Sequence, residues 1–186
     1  MAGKRGILLH ACCAVCFEAV IPALEEEGWA VRAYFYNPNI HPFGEFQKRL
    51  RAIEVAAEAR KVPLEADRGY GLAFYLERIL AGEGDRCERC YRARLDAAAG
   101  AAKRGGFEAF TTTLLASSHQ KHEVVRREGE AAGRRCGTEF VYCDWRGRMV
   151  LGVEAARKRS LYRQQYCGCI WSEYERFGPN RERAGE

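Results

Sequence analysis

Seven of the nine cysteines fall in three short runs: Cys12-Cys13-Ala14-Val15-Cys16, Cys87-Glu88-Arg89-Cys90 and Cys167-Gly168-Cys169. Thiolates gathered in this way are soft ligands for metal ions and iron-sulfur clusters. A [4Fe-4S] cluster takes four thiolates, so seven leave three over, enough for a second, mononuclear metal with an open coordination position. The adjacent Cys12 and Cys13 diverge by roughly 100° on a helix, and by more in an extended chain, so each is expected at a different centre. If a helix opens near Cys12, then Cys12 and Cys16 share a face at i and i+4. Cys87 and Cys90 stand one turn apart at a second helix start, where the helix dipole favours thiolate. Cys167 and Cys169, two apart in an extended segment, project to one side, and Gly168 between them lets backbone approach a bulky inorganic core. The expected division puts Cys13, Cys87, Cys90 and Cys167 on the cluster, and Cys12, Cys16 and Cys169 on the lone ion. Cys136 and Cys143 have no clustered partner and read as ordinary thiols.

Other chemistries use thiols too. A structural zinc site could be built from Cys13-x-x-Cys16 and Cys87-x-x-Cys90, but the usual separation between such pairs is far shorter, and Cys12, Cys167 and Cys169 would be left without a role. Dithiol exchange needs fewer cysteines than are present. Only about four apolar residues separate Lys4-Arg5 from His10, too few for a signal peptide or a membrane span, so a cytoplasmic location and no membrane partner are expected. Cytosolic thiols are kept reduced, which favours metal ligation over disulfides. The net charge of +5, with basic clusters at Arg126-Arg127, Arg134-Arg135 and Arg157-Lys158-Arg159, suits a polyanionic partner such as RNA.

The elements that must position these thiols alternate between strand and helix. Gly6 to His10 reads as a buried strand, Ala14 to Glu27 as a helix stopped by Gly28, and Ala30 to Tyr36 as a second strand ended by Asn37-Pro38-Asn39 and His41-Pro42. Phe46, Leu50, Ile53 and Ala57 recur at helical spacing, 63–67 is extended, and 72–80 is helical. Cys87 opens a helix that runs to about Lys103, 107–115 is strand-like, Ser117 or Ser118 caps a helix through about Ala132, and 140–143 is the last strand. This alternation predicts an α/β fold: a Rossmann-like, mostly parallel sheet flanked by helices. Ligands in such sheets sit beyond the carboxyl ends of the strands, so the loops at 10–16, 37–42 and 111–122 should converge there. With 186 residues, 47% of them hydrophobic, the chain suits one catalytic domain over 1–177, followed by a disordered tail at 178–186.

Five ordered segments, Leu8-Leu9-His10-Ala11-Cys12-Cys13, Tyr36-Asn37-Pro38-Asn39-Ile40-His41-Pro42, Cys87 to Leu95, Thr111 to Leu115 and Leu161 to Cys169, resemble the QueH family of epoxyqueuosine reductases. The resemblance implies an adenine-nucleotide-hydrolase-like (HUP) fold and a [4Fe-4S] cluster beside a mononuclear metal, taken as iron. It also implies reduction of the epoxide of epoxyqueuosine at the tRNA wobble position, with an unidentified electron donor. The partner is then tRNA carrying epoxyqueuosine in its anticodon, with Arg126, Arg127, Arg157, Lys158 and Arg159 as phosphate contacts. Two departures are visible: Cys16 stands where some members carry Asp, and Ser118-His119 where a Pro-Tyr pair is expected. Cys12, Cys16 and Cys169 are the expected catalytic groups, with protons coming from water, His122 or Tyr162. Asn37, Asn39, Gln120 and Asp144 are expected near the substrate. The alternatives are an iron-sulfur-dependent tRNA sulfurtransferase, which needs phosphate-cradling glycines that 10–16 lacks, and a non-catalytic zinc-binding RNA module.

Overall fold

The computed structural model describes residues 5–178. Five strands, β1 (Gly6–His10), β2 (Ala30–Phe35), β3 (Leu64–Ala66), β4 (Ala109–Thr112) and β5 (Glu139–Phe140), form one sheet in the order β3-β2-β1-β4-β5. Every pairing is parallel. Central strands of such sheets are covered on both faces, which is why Ile7, Leu8 and Leu9 form an unbroken buried apolar run. The crossovers β1 to β2 and β3 to β4 run in opposite directions across the sheet, so right-handed connections place their helices on opposite faces. α1 (Ala14–Glu26) packs with α2 (Phe43–Arg60), while α4 (Arg86–Arg104) packs with α5 (His122–Cys136). Between them, α3 (Leu72–Phe74) continues into a π-helical stretch, Tyr75–Leu80.

The expected α/β sheet is present, but several boundaries differ. Strand β4 stops at Thr112 because the Thr112 hydroxyl accepts the Leu114 N–H at 3.2 Å, turning Thr113–Ala116 into a 3₁₀ turn. Neither serine caps α5: the Ser117 hydroxyl closes a local turn onto the His119 N–H at 3.3 Å, and the helix opens four residues after Ser118 without a side-chain cap. The last strand is two residues long and leaves Cys143 outside it. Two helices were not anticipated, α6 (Met149–Lys158) and α7 (Ile170–Phe177). Of the expected tail, Gly178 ends α7, and the rest lies outside the described residues.

Helix α6 docks closely on α1 through Gly152, where a Cβ would stand 2.4 Å from the Val15 carbonyl oxygen and 2.9 Å from the Ala19 Cβ. Gly152→Val is therefore expected to push α6 outward and lower stability by roughly 1–3 kcal/mol, read as a reduced melting temperature. Among the described residues, no helix is long and apolar enough to cross a membrane.

Candidate metal centre

The three predicted loops do meet at the carboxyl edge of the sheet, and buried hydrogen bonds join them. His10, the last residue of β1, is fully buried, with Nδ1 2.8 Å from the Thr112 hydroxyl and Nε2 3.2 Å from the Tyr36 carbonyl. Asn37 donates from Nδ2 to the Ala11 carbonyl at 2.9 Å, and the Cys12 N–H donates to the Thr113 hydroxyl at 3.1 Å. Burial first, and the nearby Arg94 charge second, push the His10 imidazole down to about 3, so it is neutral in the native state. A histidine whose value falls on folding takes up a proton when the chain unfolds. Metal-free protein should therefore lose stability as pH drops from about 6.5 toward 3, by about 1.4 kcal/mol per pH unit. Denaturant titrations of wild type and His10→Gln over this window check it; the variant should lack this contribution.

Cys13, not Cys12, stands at the start of α1. It occupies the N-cap in an extended conformation, and its sulfur accepts the Cys16 N–H at 3.4 Å. This reverses the expected divergence: the Cys12 and Cys13 sulfurs are 3.9 Å apart, and those of Cys12, Cys13 and Cys16 all lie within 4.8 Å of one another. Sulfur–sulfur hydrogen bonding with Cys13 and then Cys16, helped by Arg94 and the Thr113 hydroxyl, holds the Cys12 thiol well below its ordinary value. Hydrogen bonding with Cys12, and then burial, pushes Cys13 up to about 12, and bonding with Cys12 and Cys13 raises Cys16. Three buried sulfurs this close favour a single negative charge among them. Gln164 completes the wall by donating from Nε2 to the Cys13 sulfur at 2.9 Å, while its buried Oε1 has no partner.

The other four thiols form a second group. Asp85 caps α4 by accepting the Cys87 N–H at 2.9 Å and is itself paired with Lys121 at 2.6 Å, which places Cys87 on the first turn and Cys90 about one turn further on. Cys167 and Cys169 lie 3.9 Å apart, sulfur to sulfur, and Cys169 caps α7 by accepting the Ser172 N–H. Hydrogen bonding from Cys167 is the main cause that brings Cys169 down to about 5, whereas burial lifts Cys90 to about 11. A narrow space of about 20 Å³ lies between Cys87, Cys90, Cys167 and Cys169, with Asn39 and Arg94 in its wall. Cys167 also borders a larger cavity of about 230 Å³, together with Cys12, Cys16, Arg163 and Gln164. It is thus the thiol shared by the two spaces, and Gln120 lines both.

The geometry therefore groups the seven thiols as three and four, with Cys13 and Cys169 exchanged relative to the expected division. Gly168 also has a different role from the one expected. Its φ of +124° is a conformation open mainly to glycine, and its missing Cβ faces Arg49 and Ile40 at 3.1 Å. Arg49 anchors this loop from α2, donating to the carbonyls of Cys167 at 3.0 Å and Tyr166 at 2.9 Å while paired with buried Glu45 at 2.6 Å. All nine cysteines are free, with Cys136 and Cys143 apart from both groups.

Several predicted side chains lie elsewhere. Tyr162 donates its hydroxyl to Glu45, and the His122 ring bonds the Leu115 carbonyl at 2.8 Å. Asp144 is paired with Arg146 at 2.5 Å. None of these three lines either cavity among the described residues. Asn37 has both ends of its amide engaged, since Arg94 donates to its Oδ1 at 2.7 Å. Asn39 is 1% exposed with its Oδ1 unpartnered, and Gln120 accepts from Tyr91 at 2.9 Å. Of the expected phosphate contacts, Arg126, Arg127 and Arg159 are paired with Glu130, Glu88 and buried Glu18. Sequence reasoning missed Arg49 and Arg94. Both sit on the apolar stripe of their helices, Arg49 between Phe46 and Leu50, and Arg94 beside Tyr91 and Leu95, and a charge on a buried face is the signal that marks them.

Comparison with known proteins agrees with this architecture. A relative from Dehalococcoides mccartyi named epoxyqueuosine reductase QueH is 41% identical over 175 residues, covering 94% of this chain and 96% of its own. One of the same name from Thermotoga maritima is 31% identical and covers 91% of each chain. Among solved structures, the U34-tRNA thiolase NcsA of Methanococcus maripaludis, described with its [4Fe-4S] cluster, matches with a TM-score of 0.59. Its 12% identity, over 98% of this chain and 70% of that one, shows shared fold alone. The family model for epoxyqueuosine reductase QueH matches residues 7–175, and this chain, with its cysteines gathered at the carboxyl edge of a parallel sheet, belongs to that family.

Proposed function

We propose that this chain reduces the epoxide of epoxyqueuosine to the alkene of queuosine at the tRNA wobble position, the last step of queuosine biosynthesis, without cobalamin. Support comes above all from seven free thiols in two adjacent groups on the ligand-binding edge of a chain of this family. Removing the epoxide oxygen as water breaks two C–O bonds and forms one C=C bond, consuming two electrons and two protons. Cys87, Cys90, Cys167 and Cys169 match the four ligands of a [4Fe-4S] cluster, and Cys12, Cys13 and Cys16 the three ligands of an adjacent iron. When bound, these groups supply single electrons and a Lewis acid for the epoxide oxygen. The space between the four thiols is narrow, about 20 Å³, and is bordered by the exposed Cys167 and the half-buried Cys87.

The 230 Å³ cavity is the substrate's place, reached by a splayed anticodon nucleotide. Gln164, whose buried Oε1 has no donor, lines this cavity and is the candidate acceptor for a substrate hydroxyl or N–H, and Gln120 lies at the junction with the second group. Arg163, exposed at the cavity, and Arg157 and Lys158 on α6 hold backbone phosphates. His122, Tyr162, Asn37 and Asp144 act by positioning the loops, and water in the cavity carries the protons. The electron donor is a separate reductant.

Anaerobically reconstituted protein, incubated with a low-potential reductant and epoxyqueuosine-containing tRNA in the absence of cobalamin, tests the reading. Mass analysis of the digested nucleosides should show queuosine. Iron-loaded protein that forms none would contradict it, and a colourless, zinc-only protein would point to a structural module.

A further inference from the structure

Arg94 is 3% exposed, yet it forms no ion pair with a carboxylate among the described residues. Its Nη2 donates to the neutral Asn37 Oδ1 at 2.7 Å, its Nη1 lies 4.0 Å from the Cys90 sulfur, and its Nε is buried without a partner. The other deeply buried arginine near the thiols, Arg49, has Glu45 at 2.6 Å. A guanidinium taken out of water without an anion is costly, and folds retain one only where an anion is supplied. The anions within reach are the thiolates. Arg94 stands one turn beyond Cys90 on α4, borders the space enclosed by Cys87, Cys90, Cys167 and Cys169, and reaches the Cys12 loop through Asn37 and the Ala11 carbonyl.

We propose that Arg94 is a positioning residue that serves as the shared counter-charge of both thiol groups and raises the reduction potential of the centre they hold. The proposal rests on the iron-binding reading given above. A fixed positive charge favours the reduced, more negative state of any centre beside it, so removing the charge makes reduction harder.

The test compares wild type, Arg94→Lys and Arg94→Met after anaerobic reconstitution, by iron and sulfide content and by spectroscopically monitored reductive titration. Arg94→Met should retain iron with a midpoint potential below wild type, and Arg94→Lys, which keeps the charge, should lie closer to wild type. Unchanged potential in an iron-loaded Arg94→Met protein would overturn the proposal. If Arg94→Met holds no iron, Arg94→Lys decides: iron retained supports the counter-charge, and iron lost overturns it. The metal-free proteins give a second readout. A bound centre ionises more of the thiols than the metal-free fold does, so Arg94→Met should lower the melting temperature more in the iron-loaded than in the metal-free protein, and an equal drop in both would mark Arg94 as merely structural. Wild-type protein that takes up no iron would instead reject the metal reading, and the proposal with it, whereas iron-loaded wild type beside an Arg94→Met protein of unchanged potential rejects the proposal alone.

Discussion

Cys87→Ala is expected to give a folded protein that has lost acid-labile sulfide and most of its iron, and that forms no detectable queuosine. Cys87 is half-buried at the first turn of α4, where its backbone N–H, not its sulfur, makes the bond to the Asp85 cap. Alanine keeps that bond and suits a helix, so the fold should survive. The loss falls on the ligand set: with Cys90, Cys167 and Cys169 alone, one corner of a four-thiolate cluster has no protein sulfur. Iron and sulfide assays, circular dichroism and nucleoside analysis on one preparation check the three parts separately. Wild-type iron content in the variant would remove Cys87 from the ligands.

Arg49→Ala is expected to cost about 3–5 kcal/mol of stability, the range for breaking a buried ion pair from one side. Arg49 and Glu45 are one turn apart on α2, with side chains only 2% and 6% exposed, and the substitution leaves the Glu45 carboxylate in the core with the Tyr162 hydroxyl. It also frees the carbonyls of Tyr166 and Cys167, so the loop carrying Cys167 and Cys169 loses its hold on α2. The double substitution Glu45→Leu with Arg49→Met separates the two effects. Removing both charges should recover most of the stability, because an apolar pair avoids the desolvation cost, while iron binding stays impaired because nothing grips the loop. Denaturant unfolding of both variants, with iron content, reads the difference. A double variant that binds iron like wild type would show that Arg49 acts on stability alone.

The sheet was legible because its signals are local. The apolar run at 7–9, the alternation after Ala30 and the turn residues at 37–42 each specify a strand or its end without reference to the rest of the chain. Helix α6 was not legible for the opposite reason. In α6 the large residues Val150 and Leu151 face solvent while Gly152 and Ala156 pack inward, so the buried face carries the small residues and the apolar periodicity is inverted. Helix α7 does carry a helical signal, Ile170, Trp171, Tyr174 and Phe177 falling on one face, but it was not read from the sequence, and in the fold that face is exposed. At the site, residue type and spacing singled out seven thiols, and the fold gathers them into two neighbouring groups. Their grouping could not be read, because it depends on where α1 starts: with Cys13 as the cap, Cys12 lies outside the helix and its sulfur turns back toward Cys13 and Cys16. The roles of Arg49 and Arg94 depend on contacts with residues 118 and 57 positions away, which no local pattern contains.

The most direct test of the central claim is anomalous diffraction at the iron edge from crystals of anaerobically reconstituted protein. Two iron centres are predicted: a four-iron peak among Cys87, Cys90, Cys167 and Cys169, and a single-iron peak bounded by Cys12, Cys13 and Cys16. Iron absent from either group, or one compact zinc signal in place of both, would contradict the account.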